Sequence, residues 1–488
     1  MRPFRPAVLI AATASVAATA FSPAGLAAAK APGGDRTFAT SVVDTHALNI
    51  AEPSIHVAHD GAIYITGPQG LGGVRAPITQ MPAEVDHGSA GGDLLWRSDD
   101  GGKTWTYLQS YDGTLGGGDS DITSAPDGTL YASGLTLACI TVAASTDRGQ
   151  TWVPNPADCV DAAGVDDRQW NDADGNQAVV TVFGSETGLR FARSIVSNGA
   201  VVNGPTFRLS GDDYQWPGVV SVDQRTGMSY VAWNTPGGKN DDCNGASNGN
   251  SCNPMAARNT DEIRLVAVPR GATSSPAYVT VAAHRDDTFD SFVDTTVDKA
   301  GNVYVVWTER HPDVKDARGH LAPETWTMLS VSRDQGTTWS APVKVNSTPK
   351  TTVFPWVSAG DAGRIAVSYY GTAASGVSPE VLTGNPEWFV YSSFSTDFGR
   401  TFTEYQTTPH YMHQGSVCTS GTGCASGTRD LLDFFETDYD KNGCLVTAYA
   451  DNSHDIVTAA GKRTTNNPTV VTAVRQTSGP GLLAGKAC

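Results

Sequence analysis

The 488-residue chain has no Cys-x-x-Cys pair, no apolar run long enough to cross a bilayer and no long segment with a helical hydrophobic period. The first absence argues against a zinc site. The second argues against a membrane span, and the third against a helical fold. Basic residues are scarce: 33 Lys+Arg stand against 50 Asp+Glu, a net charge of -17. Such a surface cannot lay a basic stripe along phosphates, so nucleic acid is excluded as a partner. The acidic balance suits solubility outside the cell, and a monomer is expected.

What is present begins with an export signal. Arg2 and Arg5 precede an apolar run from Ala7 to Ala20, and small residues follow, ending Ala27-Ala28-Ala29. This reads as a secretory signal peptide over 1–29, with 30–488 as one secreted, extracellular domain. Eight cysteines in an exported chain read as disulfides. Their spacing pairs neighbours: Cys139 with Cys159, Cys243 with Cys252, Cys418 with Cys424, and Cys444 with Cys488.

An eight-residue pattern, S-x-D-x-G-x-T-[WF], occurs four times, at 98–105, 145–152, 332–339 and 395–402. At average residue usage one match arises about once per million positions. The copies are therefore a built feature. Around them lie seven hairpin signatures, such as "DITSAPDGTLYASG" and "TTVDKAGNVYVVW": two alternating apolar runs meeting at an Asp/Gly turn. The eight-residue pattern always follows a third strand. The unit is thus strand, turn, strand, long loop, strand, patterned turn, strand. Seven such units predict an all-β, seven-bladed propeller of four-stranded antiparallel blades, with six blades as the alternative count. The last unit lacks a fourth strand, and "RTFATSVV" from Arg36 to Val43 is placed to supply it and close the ring. Within the pattern, Gly permits positive φ, Asp accepts turn N–H groups, and the aromatic packs between sheets. Repetition points to a structural role.

The pattern resembles the Asp box of the sialidase-like, or BNR-repeat, propellers. The resemblance covers the repeats of the mature chain and implies a propeller whose ligands bind on the face of the inter-blade connections. It also implies a carbohydrate substrate. Residues just before each first strand are then the informative ones. They include Glu52, Asp119, Asp121, Asp290 and Asp433, with Glu309 at a strand end, as candidate catalytic carboxylates. Arg168, Arg429, Trp170, Trp216 and Tyr370 are candidate substrate-binding residues. For the two tryptophans, burial between blades is the competing reading. Sialidases of this fold carry an arginine in an R-I-P segment at the first blade. Here that stretch reads Glu52-Pro53-Ser54-Ile55.

Three functions follow as expectations: a secreted enzyme, hydrolase or lyase, acting on an extracellular glycan; a non-catalytic propeller that binds glycan or protein; and a sialidase with a displaced arginine triad. No metal or cofactor is expected, calcium being the one left open. "DYDKNG" at Asp438 begins like a calcium loop, but its twelfth position is Tyr449 rather than a bidentate Glu. His410 and His413 lack a third ligand in sequence.

Overall fold

The computed structural model describes residues 36–44, 47, 49–68, 92–111, 118–136, 139–158, 167–176, 178–185, 188–209, 218–236, 260–283, 288–376, 378–419, 429–453 and 469–488. Among the described residues, seven antiparallel sheets form a β-propeller. The innermost strands are Ser54–Val57, Asp121–Ser124, Asp167–Asp174, Val220–Asp223, Thr288–Val297, Thr351–Ala359 and Glu436–Tyr439, in blades 1 to 7. Blades 3 and 6 add a short fifth strand. Residues 1–29, which the sequence suggests as an export signal, lie outside the described residues, and no helix among those described is long and apolar enough to cross a membrane.

The ring closes as the strand count required. Phe38–Val42 is the outermost strand of blade 7 and pairs antiparallel with Val470–Gln476, Phe38 opposite Gln476 and Val42 opposite Thr472. The C-terminal tail then crosses to blade 6. Leu482 N–H donates to Gly443 O at 2.7 Å, and Leu482 O accepts from Asp361 N–H at 3.0 Å. A disulfide between Cys444 and Cys488 pins this tail, with a Cα–Cα separation of 5.6 Å. Cys139 and Cys418 are also disulfide-bonded. Their expected partners Cys159 and Cys424, and the pair Cys243 and Cys252, lie outside the described residues.

The four Asp boxes share one geometry, seen here at 145–152. Ser145 Oγ accepts Gly149 N–H at 3.0 Å and donates to Asp147 Oδ1 at 2.9 Å. The same Oδ1 accepts Gln150 and Thr151 N–H, while Oδ2 accepts the Thr151 hydroxyl at 2.6 Å. Gly149 has φ +80°, and a Cβ there would press on Leu108 and Leu95. Trp152 packs back on blade 1 with Tyr64 and Leu95. The box therefore does two jobs: it turns the third strand into the fourth and mortises each blade to the one before. Its buried end is the serine (1% exposed), whereas Asp147 is exposed. Ser145→Ala strands the buried Gly149 N–H and is expected to cost about 1–3 kcal/mol. Asp147→Ala frees N–H groups that reach water and is expected to cost about 1 kcal/mol or less. Denaturant melts rank the two; the reverse order would refute this division of roles.

The inner strands are joined around the axis by a second device. A polar side chain of one blade accepts a backbone N–H of the next. Glu436 Oε2 takes Ile55 N–H at 2.9 Å, Ser54 Oγ takes Ile122 at 3.2 Å, and Asp121 Oδ2 takes Asn171 at 2.6 Å. Asp172 Oδ2 takes Val222 at 2.7 Å, and Asp294 Oδ2 takes Val357 at 2.5 Å. Between blades 6 and 7 the Ser358 hydroxyl donates to Thr437 O at 2.8 Å. Blades 4 and 5 instead meet backbone to backbone at Gly218, where a Cβ would lie 1.9 Å from Val293 O. Only glycine tolerates that approach.

Candidate functional site

Just before the inner strand, or near its start, five blades pass through a residue with positive φ: Glu52 (53°), Asp119 (49°) and Leu432 (53°) before it, and Arg168 (58°) and Phe354 (55°) inside Asp167–Asp174 and Thr351–Ala359. Left-handed backbone is uncommon for such residues and persists where the surroundings impose it. Here the bend lies where each inner strand enters on the inter-blade face. The side chains of the first three meet.

Arg168 of blade 3 is the hub. Its Nη2 lies 3.0 Å from Glu52 Oε1 of blade 1 and 2.7 Å from Asp433 Oδ2 of blade 7. Its Nη1 lies 3.2 Å from Asp119 Oδ1 of blade 2. Arg429 Nη2 pairs with the same Asp433 oxygen, and Asp433 N–H donates to Glu52 Oε1 at 3.0 Å. Glu52, Arg168 and Asp433 are 1–2% exposed, while the Arg429 side chain is 30% exposed. Beneath the guanidinium lies an aromatic floor: the Arg168 Cζ is 5.2 Å from the Phe434 centroid. Trp170 meets Phe434 edge-on at 4.8 Å and Trp356 at 5.4 Å. A cation over such rings is favoured and shielded from water.

The electrostatics follow from burial. Burial pushes the Glu52 carboxyl up to about 8; Arg168 pulls it down, and the carboxylates of Asp119 and Asp433 push it up further. The net rise favours the protonated form of Glu52. Burial opposes the charge on Arg429, but Asp433 and Glu52 outweigh it and hold its pKa above the ordinary value. The arrangement can donate a proton from Glu52 and holds an Asp433 oxygen against the same guanidinium nitrogen.

Five of the sequence candidates are thus brought together: Glu52, Asp119, Asp433, Arg168 and Arg429. Trp170 lies in their floor, buried as its competing reading had it. Asp121 is placed elsewhere, in the seam ring, where Asn171 N–H, Ile122 N–H and the Ser54 hydroxyl all donate to it. Glu309 is fully buried within blade 5, taking Trp307 Nε1–H at 2.7 Å and lying 3.3 Å from His311 Nε2. Tyr370 is buried between blades 6 and 7. It stacks on Phe435 at 4.1 Å and accepts Ala450 N–H at 3.2 Å. The side chain of Asp290, and Trp216, lie outside the described residues. Asp438 accepts Val57 N–H at 2.8 Å, and Asp440 caps its hairpin turn through Asn442 and Cys444 N–H. His413 contacts Asn452, which in turn donates to Asp430 at 2.9 Å. Among the described residues, no group of three His, Cys, Asp or Glu side chains is placed to hold a metal ion.

Sequence reasoning missed the seam set of Glu436, Asp172 and Asp294. The signal was available: a carboxylate recurs within the first strand of the hairpins "FETDYDKNG", "NDADGN" and "DTTVDKAGN".

No family model matches the chain, and no curated protein matches it in sequence. Solved structures do. A Penicillium chrysogenum alpha-L-arabinanase complexed with arabinobiose shares 13% identity over 75% of this chain and 99% of its own, with a TM-score of 0.43. A GH93 alpha-L-arabinofuranosidase of Fusarium graminearum shares 11% over 91% and 98%, with a TM-score of 0.42. The NanB sialidase of Streptococcus pneumoniae shares 12% over 89% and 69%, also with a TM-score of 0.42. At these identities the likeness concerns the fold alone.

Proposed function

We propose that the chain is an exported enzyme that cleaves a glycosidic bond of an extracellular carbohydrate at the centre of the inter-blade face. The observation that carries the reading is the convergence of carboxylates from blades 1, 2 and 7 on Arg168. Glu52 holds a proton at neutral pH and supplies it to the leaving oxygen. Asp433 is the charged partner, oriented by Arg168 and Arg429. Because Glu52 and Asp433 each contact one guanidinium nitrogen, their contacting oxygens are at most about 6 Å apart. That favours direct attack by Asp433 over a water held between two distant carboxylates. Asp119 completes the charge around Arg168.

A second reading is supported by the depth of the cluster: at 2% exposure or less, Arg168, Glu52 and Asp433 also suit a structural hub beneath a glycan- or protein-binding mouth. A sialidase would need three arginines converging on a substrate carboxylate. Arg168 and Arg429 meet on Asp433, and Arg285 lies outside the described residues.

The test is a broad panel of neutral and acidic oligosaccharides and polysaccharides, with products read by mass spectrometry. Glu52→Gln and Asp433→Asn are each expected to lower turnover about 10²–10⁴-fold while leaving the fold intact. Retained glycan affinity without any product from the wild-type protein would establish the binding reading. Wild-type turnover in both amide variants would move the chemistry to another site.

A further inference from the structure

The ring axis holds a second constellation, which the site above does not use. An axial cavity of about 480 Å³ is lined by inner strands of all seven blades. It extends to the hairpin turns of the Asp-box face, where His59 and Pro126 stand at its wall. Among its lining residues are His56 of blade 1, Ser124 of blade 2 and Asp438 of blade 7. Ser124 Oγ lies 2.7 Å from His56 Nε2. On the other side of the ring, His56 Nδ1 lies 3.3 Å from Asp438 Oδ2. Asp438 is itself fixed, its two oxygens accepting Val57 N–H at 2.8 Å and Tyr439 N–H at 2.7 Å. The His56 and Asp438 side chains are 21% and 25% exposed, and Ser124 is half-buried. All three line the channel, as do the seam carboxylates Asp121, Asp172, Asp294 and Glu436 beside them.

We infer that Ser124, His56 and Asp438 form a nucleophile, base and orienting carboxylate that cleave small carboxylic esters entering the channel from the Asp-box face. A hydroxyl within hydrogen-bond reach of an imidazole, whose other nitrogen faces a carboxylate, is the arrangement that activates serine. With its Nδ1–H turned to Asp438, His56 leaves Nε2 free to accept the Ser124 O–H. The Ser124 Oγ–acyl carbon bond forms as the acyl carbon–alkoxy oxygen bond breaks. The serine proton passes through His56 to the departing alkoxide, which leaves as an alcohol. Water then attacks the acyl-serine, its proton returns through His56 to Ser124 Oγ, and a carboxylic acid is released.

A donor for the developing oxyanion is built into the strand. Alternate residues of an edge strand turn their N–H groups away from their sheet partner. Ile122 N–H goes out to Ser54 Oγ and Asp121 Oδ1. By that alternation Ser124, two residues on, would turn its own N–H to that same side. Asp438 acts through His56 and is a positioning residue.

The full chain is incubated at neutral pH with a fluorophosphonate probe, which phosphonylates an activated serine. The Oγ–P bond forms, fluoride leaves, and the proton passes to His56. Peptide mapping is expected to find the label on Ser124. The label is lost in Ser124→Ala, falls at least about 100-fold in rate in His56→Gln, and is unchanged in Asp334→Ala. Asp438→Asn is expected to slow labelling at least about 10-fold at an unchanged melting temperature, which a purely structural contact would not do. If His56→Gln weakens the fold, Ser124→Cys with His56 intact keeps the question open to measurement: its thiol should be alkylated by iodoacetamide at pH 7 at least about 10-fold faster than a free cysteine, and a rate no faster than free cysteine would overturn the inference. An unlabelled Ser124 in folded protein, or labelling at equal rates with and without His56, would overturn the inference and leave these contacts as a clasp between blades 1, 2 and 7.

Discussion

Arg168→Met is expected to lower the unfolding free energy by about 3–5 kcal/mol, the largest loss of any single substitution discussed for this chain. The variant keeps the bulk of the side chain over Phe434 but removes the charge that Glu52, Asp119 and Asp433 share. Three buried acids would then face one another with only Arg429 beside them. Arg168→Lys should recover little, because one ammonium cannot span three acceptors spread over two guanidinium nitrogens. Combining Arg168→Met with Glu52→Gln and Asp433→Asn should recover a large share, since the amides remove the repulsion. Urea midpoints at pH 7 measure all four proteins. If Arg168→Met melts like the wild type, the cluster does not hold these blades together, and the proposed placement of charge on Asp433 falls with it.

Stability is expected to fall steadily as pH rises from about 5 to 9. Burial pushes Glu52 up to about 8 and Asp121 and Asp172 up to about 6. Glu436 and Asp294, buried in the same seam ring, are raised well above the ordinary carboxylate range. The folded protein therefore holds protons that the unfolded chain has already released. Stability from these groups is complete below their unfolded pKa values, near 4, and is lost as pH climbs through the folded ones. The Asp boxes act in the opposite sense. Hydrogen bonds from Thr338 and Ser332 bring Asp334 down to about 2. Asp147 is lowered chiefly by the Thr151 hydroxyl. Their contribution is present above the ordinary value and disappears as pH falls through the lowered one. The two limbs place the optimum in mild acid, between about pH 4 and 6. Melting temperatures across pH 2–10 would show it, and Glu436→Gln should flatten the alkaline limb. A maximum at pH 8 or above would contradict the burial argument.

Sequence and structure agree most closely where a motif carries its own geometry. The hairpins and Asp boxes are local, so period and turn chemistry were enough to place seven blades and to see that Phe38–Val42 completes the last. The site was legible to the level of position. Glu52, Asp119 and Asp433 were found because they precede first strands, and Arg168 because it stands at the start of one. Side-chain direction was not legible. Asp119 and Asp121 stand two residues apart, yet the positive φ at Asp119 accompanies its contact with Arg168 while Asp121 bonds the blade 3 backbone. Glu309 looked like a mouth residue because it sits near a strand end, but its carboxylate is committed to Trp307 and His311 inside blade 5. Which arginine would sit among which acids depends on contacts between residues 116 and 265 positions apart, and no local rule reaches that far.

The strand pairing that shuts the ring also fixes an order of events in the making of the protein. Among the described residues, the sheet partner of Phe38–Val42 is Val470–Gln476, more than four hundred residues further along the chain. A growing polypeptide can stack its early blades, but the first blade and the last cannot lock until that late strand arrives. Prematurely terminated chains would thus carry an open circle with an unsatisfied strand edge, a shape that proteases and quality control recognise. The seam makes completion of the chain a condition of closure.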